Sequence, residues 1–172
     1  MPQSDQFLGN ERYMLIPRVL IFIRRGDEYL LIKGAPTKKL WAGKYNGLGG
    51  HIERGEDVIS AAKRELLEEA GITADLWLCG TVIVDVNEIG ICLFIVCGEN
   101  ASGEIKESRE GKPEWVKKEA LSHLPVVEDL PILLNKVDTM NQNDPPFSAR
   151  SFYEDDKLKI IFAAEDDGKA RN

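Results

Sequence analysis

Histidine is nearly absent from this chain, with two copies in 172 residues, and cysteine is scarce at three. His51 and His123 have no partner near them in sequence, so neither is expected to ligate a metal. Cys79, Cys92 and Cys97 are odd in number, sit in apolar stretches and lack the CxxC spacing of zinc and redox sites. They read as packed free thiols in a reducing compartment, which places the protein in the cytoplasm. Basic charge is in deficit. Lys and Arg total 22 against 29 Asp and Glu, for a net charge of −7, so binding to a polymeric nucleic acid is not expected. A small phosphorylated ligand is not excluded, because bound divalent cations reverse the local sign. There is no long hydrophobic run. The early stretch Met14 to Ile23 is interrupted by Pro17 and Arg18 and falls short of the ~20 apolar residues of a membrane span. The first residues carry no basic cluster, which argues against a secretory signal. No internal repeat is visible.

What is present suits one globular domain over residues 1–172, with residues 1–10 and 165–172 as mobile tails. Val19 to Ile23 and Tyr29 to Ile32 flank a Gly-Asp turn and predict a hairpin. Asp57 to Ala70 has helical periodicity and stops at Gly71, a residue suited to a left-handed helix end. Leu76–Val86 and Ile91–Cys97 predict a second hairpin, and Trp115–Val116 a short strand. Pro131 opens a second helix, to about Met140. Ser148–Tyr153 and Lys157–Ala163 predict a last hairpin. Strands mixed with two helices give an α/β or α+β chain.

The densest signal is GGHIERGEDVISAAKRELLEEAG, from Gly49 to Gly71. On a helical wheel Val58, Ile59, Ala62, Leu66 and Ala70 form one apolar sector. Glu65, Glu68 and Glu69 stand at i, i+3 and i+4, so they share a face. Glu69 falls between the directions of Val58 and Ala62, inside the packing sector. Burying a carboxylate there is costly unless a cation or a donor meets it. Two readings follow. One is a solvated acidic face. The other is a site for Mg²⁺ or Mn²⁺, hard ions that take several oxygen ligands and leave room for phosphate. Gly49 and Gly50 permit close backbone approach, and a free Gly50 carbonyl would add one more oxygen.

Gly50, then Glu56 after five residues, then Arg64-Glu65-Leu66-Leu67-Glu68-Glu69-Ala70-Gly71-Ile72 after seven, resembles the Nudix box at all nine of its fixed positions. The resemblance implies an α/β fold of the Nudix type, an α/β/α sandwich with a mixed sheet. It also implies metal-dependent hydrolysis of a nucleoside diphosphate linked to another moiety. Within it, Glu65, Glu68, Glu69 and the Gly50 carbonyl bind metal. Arg64 orients a carboxylate, and Glu56 supports the junction of loop and helix and in some members a metal.

Beyond the box, LeuTrpAlaGlyLysTyrAsnGlyLeuGlyGly at 40–50 resembles the MutT-type oxidised-purine triphosphatases, with Tyr45 standing where Trp is usual and Asn46 as a substrate contact. The stretch 108–115 resembles the segment with a remote metal-binding Glu, which maps to Glu110. The stretch 124–134 resembles the segment whose acid pair reads the purine edge, which maps to Glu128 and Asp129. Two departures stand out. Val126 lies near the position of a base-stacking Trp, and the first acid of the pair is Glu. Plain structural readings stand beside these. Asn46 is also a good turn residue, Glu128 and Asp129 could cap the second helix, and Glu110 could face solvent. Trp41 and Trp115 read as packing or pocket walls.

The expected activity is hydrolysis of a nucleoside triphosphate to monophosphate and pyrophosphate, on purine and oxidised purine nucleotides. Glu65 or Glu110 is the expected base, and the protein is expected as a monomer or homodimer without a membrane partner. Alternatives are a Nudix pyrophosphatase acting on ADP-ribose, a dinucleoside polyphosphate or an RNA 5′ end, and a non-catalytic nucleotide sensor. Nudix branches acting on the first two of these substrates tend to carry a Pro or a Tyr some way after the box, and residues 73–112 contain neither, so the resemblance speaks mildly against both. Retention of every box carboxylate speaks against the sensor.

Overall fold

Val19 to Ile23 are five consecutive buried residues in β1 (Met14–Arg25). Leu20 and Phe22 point into one core, and Val19, Ile21 and Ile23 into another. A strand covered on both faces has no polar side to show, so its sequence reads as an unbroken apolar run. The computed structural model describes residues 12–163, and the tails expected to be mobile lie outside the described residues.

β1 turns through Gly26, whose φ is 61°, into β2 (Glu28–Gly34). The two strands pair antiparallel, from Ile23 opposite Leu30 to Arg25 opposite Glu28. On its other edge β2 pairs with β6 (Gly111–Lys117) along its whole length, and past Leu30 it leaves β1 and meets β3 (Tyr45–Asn46). The edge of β1 that β2 vacates is taken by the loop after β3. Ile21 N–H donates to the Leu48 carbonyl at 2.7 Å, and Val19 N–H to the Gly50 carbonyl at 2.9 Å. On its other edge β1 pairs in parallel with β5 (Ile89–Gly103). β5 forms the long second hairpin with β4 (Ile72–Val84), and β4 pairs in parallel with β7 (Phe147–Glu154). β8 (Lys157–Phe162) closes the edge. The strand order is β3-β2-β1-β5-β4-β7-β8 with β6 on β2, a mixed sheet.

α1 (Val58–Ala70) covers one face with Ala61, Ala62, Leu66 and Ala70. α2 (Leu130–Asp138) covers the other with Leu130, Leu133, Leu134 and Val137. The expected sandwich of helices about a mixed sheet is therefore present. α1 begins at Asp57, whose carboxylate accepts from Ile59 and Ser60 N–H at 2.9 and 3.0 Å. It ends at Gly71 with φ 72°. Cys79 and Cys97 are buried free thiols, and Cys92 is half-buried. No helix among the described residues is long and apolar enough to cross a membrane.

Two elements go beyond the sequence expectation. β3 has only two residues and exists because β2 and the 125–127 segment flank it: Tyr45 N–H donates to the Pro125 carbonyl and Val127 N–H to the Tyr45 carbonyl. A short 3-10 helix, Lys118–His123, links β6 toward α2. The second hairpin also extends past both predicted ends, because β4 begins directly after the Gly71 cap.

Candidate active site

The box folds into a helix standing over a glycine loop. Glu69 points into the packing face, as its place on the wheel predicts, and is 4% exposed. The donor that meets it is backbone: Gly49 N–H donates to Glu69 Oε2 at 2.7 Å. Burial pushes the Glu69 pKa up to about 7, the Gly49 bond pulls it down, and the charge of Glu65 raises it again. Gly49 itself has φ 138°, and a Cβ there would lie 2.1 Å from the Val19 carbonyl oxygen. Only glycine fits that position.

Glu65 lies against Gly50. A Cβ on Gly50 would come within 2.3 Å of Glu65 Oε1, so the missing side chain makes room for the carboxylate. The Gly50 carbonyl is not free, contrary to expectation, because it accepts from Val19 N–H. A carbonyl oxygen has two lone pairs, so one acceptor position is left.

Arg64 holds the arrangement together. Its Nε donates to Glu56 Oε1 at 2.7 Å and its Nη2 to Glu56 Oε2 at 2.9 Å. Nη2 also donates to the His51 carbonyl at 3.1 Å. The guanidinium draws the Glu56 carboxyl down to about 2. Arg64 precedes Glu65 in sequence, yet Nη1 still reaches Glu65 Oε1 at 2.9 Å and Glu68 Oε2 at 3.3 Å. A long flexible side chain thus serves three carboxylates and a carbonyl from a position that wheel geometry places off the acidic face.

Glu110 reaches the same region from the loop before β6. It forms an ion pair with Lys38, which also lies over the Trp41 ring at 4.0 Å. Both charges act on Glu69, Lys38 lowering its pKa and Glu110 raising it. Lys38 escapes sequence reasoning because it sits in a charged loop without periodicity. Among the described residues no three His, Cys, Asp or Glu side chains converge as a ready cage for an ion. Glu65 and Glu68 face Arg64 instead. The donor chemistry nonetheless suits a hard divalent cation: every candidate ligand is oxygen, and a buried carboxylate with a raised pKa lies beside a second carboxylate.

A separate cavity of about 220 Å³ lies on the α2 face. Val82, Val84, Leu93 and Leu133 supply its apolar walls, and Glu128, Asp129, Ser151 and Tyr153 its polar groups. Asp129 stands at the N-terminal boundary of α2, but its side chain makes no capping bond. Burial raises its pKa. Glu128 accepts from the Tyr153 hydroxyl at 2.9 Å. Asn46 is not a wall of this cavity. Its Oδ1 accepts from Gly47 N–H at 2.8 Å, and its strand is bonded to the 125–127 segment that leads to the acid pair. Tyr45 donates to Glu114 at 2.7 Å, which pushes its own pKa up to about 12.

The model of the NUDIX domain matches residues 14–137, most of the chain. This chain belongs to the Nudix family. It is 38% identical over 88 residues to an oxidized purine nucleoside triphosphate hydrolase of Danio rerio, covering 49% of this chain and 56% of the relative. It is 30% identical over 125 residues to the enzyme of that name from Mus musculus, covering 68% and 78%. The chain thus spans little more than half of the first relative's length. A MutT protein from Bacillus halodurans superposes with a TM-score of 0.74 at 26% identity, covering 88% of this Nudix chain and 99% of that one.

Proposed function

We infer that this Nudix chain hydrolyses a nucleoside triphosphate to the monophosphate and pyrophosphate, with purine and oxidised purine nucleotides preferred. The observation that carries the reading is the complete box folded as a helix over its glycine loop. Glu65 and Glu69 rest on the Gly49–Gly50 loop, Arg64 ties Glu65 and Glu68 to Glu56, and a separate cavity presents an acid pair. The purine preference is supported by the names of the two relatives described above and by the Glu128–Asp129 pair in a pocket with apolar walls.

Glu65, Glu68, Glu69 and the Gly50 carbonyl, with Glu110 from the facing loop, are the groups that would hold Mg²⁺ or Mn²⁺. Such an ion offsets the charge of the phosphate chain and lowers the pKa of a bound water. Glu56 contributes by orienting Arg64, since both of its carboxylate oxygens are committed to that guanidinium. Water adds across the α–β phosphoanhydride. Its oxygen bonds to phosphorus, pyrophosphate leaves, and the water proton passes to a carboxylate, Glu65 or Glu110. Glu65 lies beside the loop, while Glu110 is the more exposed of the two. Free thiols suit a reducing, cytoplasmic setting.

The test is turnover with Mg²⁺ across dGTP, 8-oxo-dGTP, dATP, dCTP, dTTP and ADP-ribose, with pyrophosphate as the measured product. Purine triphosphates should give the highest kcat/KM, and EDTA should abolish turnover until Mg²⁺ or Mn²⁺ is restored. A preference for ADP-ribose, or turnover unaffected by EDTA, would refute the assignment.

A further inference from the structure

The β7–β8 hairpin lies beyond the family-matched segment, yet it closes the acid-pair cavity. Strand alternation puts Ser151 and Tyr153 on one face of β7. Their cross-strand partners on β8 are Ile160 and Leu158. All four line the cavity that holds Glu128 and Asp129. Ser151 is 4% exposed at its base, whereas Tyr153 is 61% exposed at its rim.

A ring that open to solvent adds little packing, but its hydroxyl is committed. It donates to Glu128 Oε2 at 2.9 Å, across 25 residues of chain. Among the described residues the Glu128 side chain has no other hydrogen-bond partner. Glu128 lies in the turn before α2, and a free glutamate there would sample several rotamers. Resting on the proposed reading of this cavity as the base pocket, we propose that Tyr153 is a positioning residue that fixes the Glu128 carboxylate as the hydrogen-bond acceptor for a purine N–H.

Tyr153 occupies one oxygen of the Glu128 carboxylate and leaves the other, Oε1, as an acceptor for a ligand N–H. Asp129, the next residue, lines the same cavity, and burial raises its pKa.

The experiment is steady-state kinetics with dGTP on the full chain, for Tyr153→Phe, Glu128→Ala and the double variant, with dCTP as control. Phe keeps the ring and removes only the hydroxyl. Tyr153→Phe should raise KM for dGTP about tenfold or more, the effect of one hydrogen bond to a charged group, while kcat stays within about twofold. KM for dCTP and the melting temperature should barely change. In the Glu128→Ala background, adding Tyr153→Phe should shift KM less than about twofold, because the two residues act as one unit. If Glu128→Ala raises KM and Tyr153→Phe does not, Tyr153 has no positioning role. If the Tyr153→Phe effect persists without Glu128, Tyr153 acts directly and the proposal is overturned. If Glu128→Ala leaves KM unchanged, or the parent does not turn over dGTP, the base-pocket reading falls and the role of Tyr153 falls with it.

Discussion

Arg64 and Glu56 are joined by two parallel hydrogen bonds, at 2.7 and 2.9 Å, that pin the first half of α1 to the loop before it. The fork is bidentate, and a lysine ammonium cannot reproduce it. Arg64→Lys should lower kcat/KM at least ~10-fold, on the scale of losing a charge-assisted pair. It should also lower the melting temperature, because the His51 carbonyl and Glu56 lose a common partner. Kinetics and melting temperature both equal to the parent would remove Arg64 from its orienting role.

Glu69→Gln removes a charge and keeps the shape. Turnover with Mg²⁺ should fall by at least ~10²-fold, the scale for loss of a charge-stabilising group. Folding should survive, and its pH dependence should change. The Glu69 carboxyl titrates near 7 in the folded chain against an ordinary 4.5. The folded state therefore holds that proton more tightly than the unfolded state. The stability it confers is complete below about pH 4.5 and is lost as pH rises through 7. In EDTA the melting temperature of the parent should decline between pH 5 and 8, and Glu69→Gln should decline less. Identical profiles would contradict the burial assigned to this carboxylate.

Neighbouring glycines should fail in different ways. Gly49→Ala places a Cβ against the Val19 backbone at a φ of 138°, and neither can yield easily. It should destabilise the fold by more than ~1 kcal/mol, as expected where alanine meets an incompatible backbone angle. Gly50→Ala meets only the end of the Glu65 side chain, which can swing away. That variant should fold with nearly the parent melting temperature and lose most of its turnover. Urea denaturation and initial rates on both variants measure the contrast.

Asp129 stands at the start of α2 without capping it, so Asp129→Ala should cost the helix little. Its effect belongs to the cavity. The ratio of kcat/KM for dGTP over dCTP should shrink roughly tenfold to a hundredfold, the worth of one hydrogen-bonding pair. Turnover of dCTP should stay near that of the parent. An unchanged ratio would dissociate the acid pair from base recognition.

The positions that read well from sequence were those whose neighbours lie nearby along the chain. Asp57 and Gly71 announce the ends of α1 by local chemistry, and the wheel places Glu69 among apolar side chains before any tertiary contact is known. Contacts made over long separations were hidden. Nothing local in Gly49 indicates that its N–H meets Glu69. A two-residue β3 has no periodicity to detect, and Lys38 over Trp41 is one charge among several in its loop. Tyr153 was nearer to legible, since alternation alone puts it on the face of Ser151. Its meeting with Glu128 needed the register of the sheet.

The parallel pairing of β1 with β5 also sets an order of assembly. The glycine loop hangs from one edge of β1, through Val19 and Ile21, while the other edge waits for a strand in which Val19 meets Phe94. The β1–β2 turn and α1 are local and fast to form, whereas a parallel pairing across that much chain must first overcome the entropy of closing the loop. A nascent chain that has left the ribosome only as far as Gly71 already carries every carboxylate of the box, but its loop hangs from a strand with one bare edge. A chain truncated before the β4–β5 hairpin therefore lacks the partner strand of β1, and with it Glu110 and the acid-pair cavity, all of which follow later in the sequence.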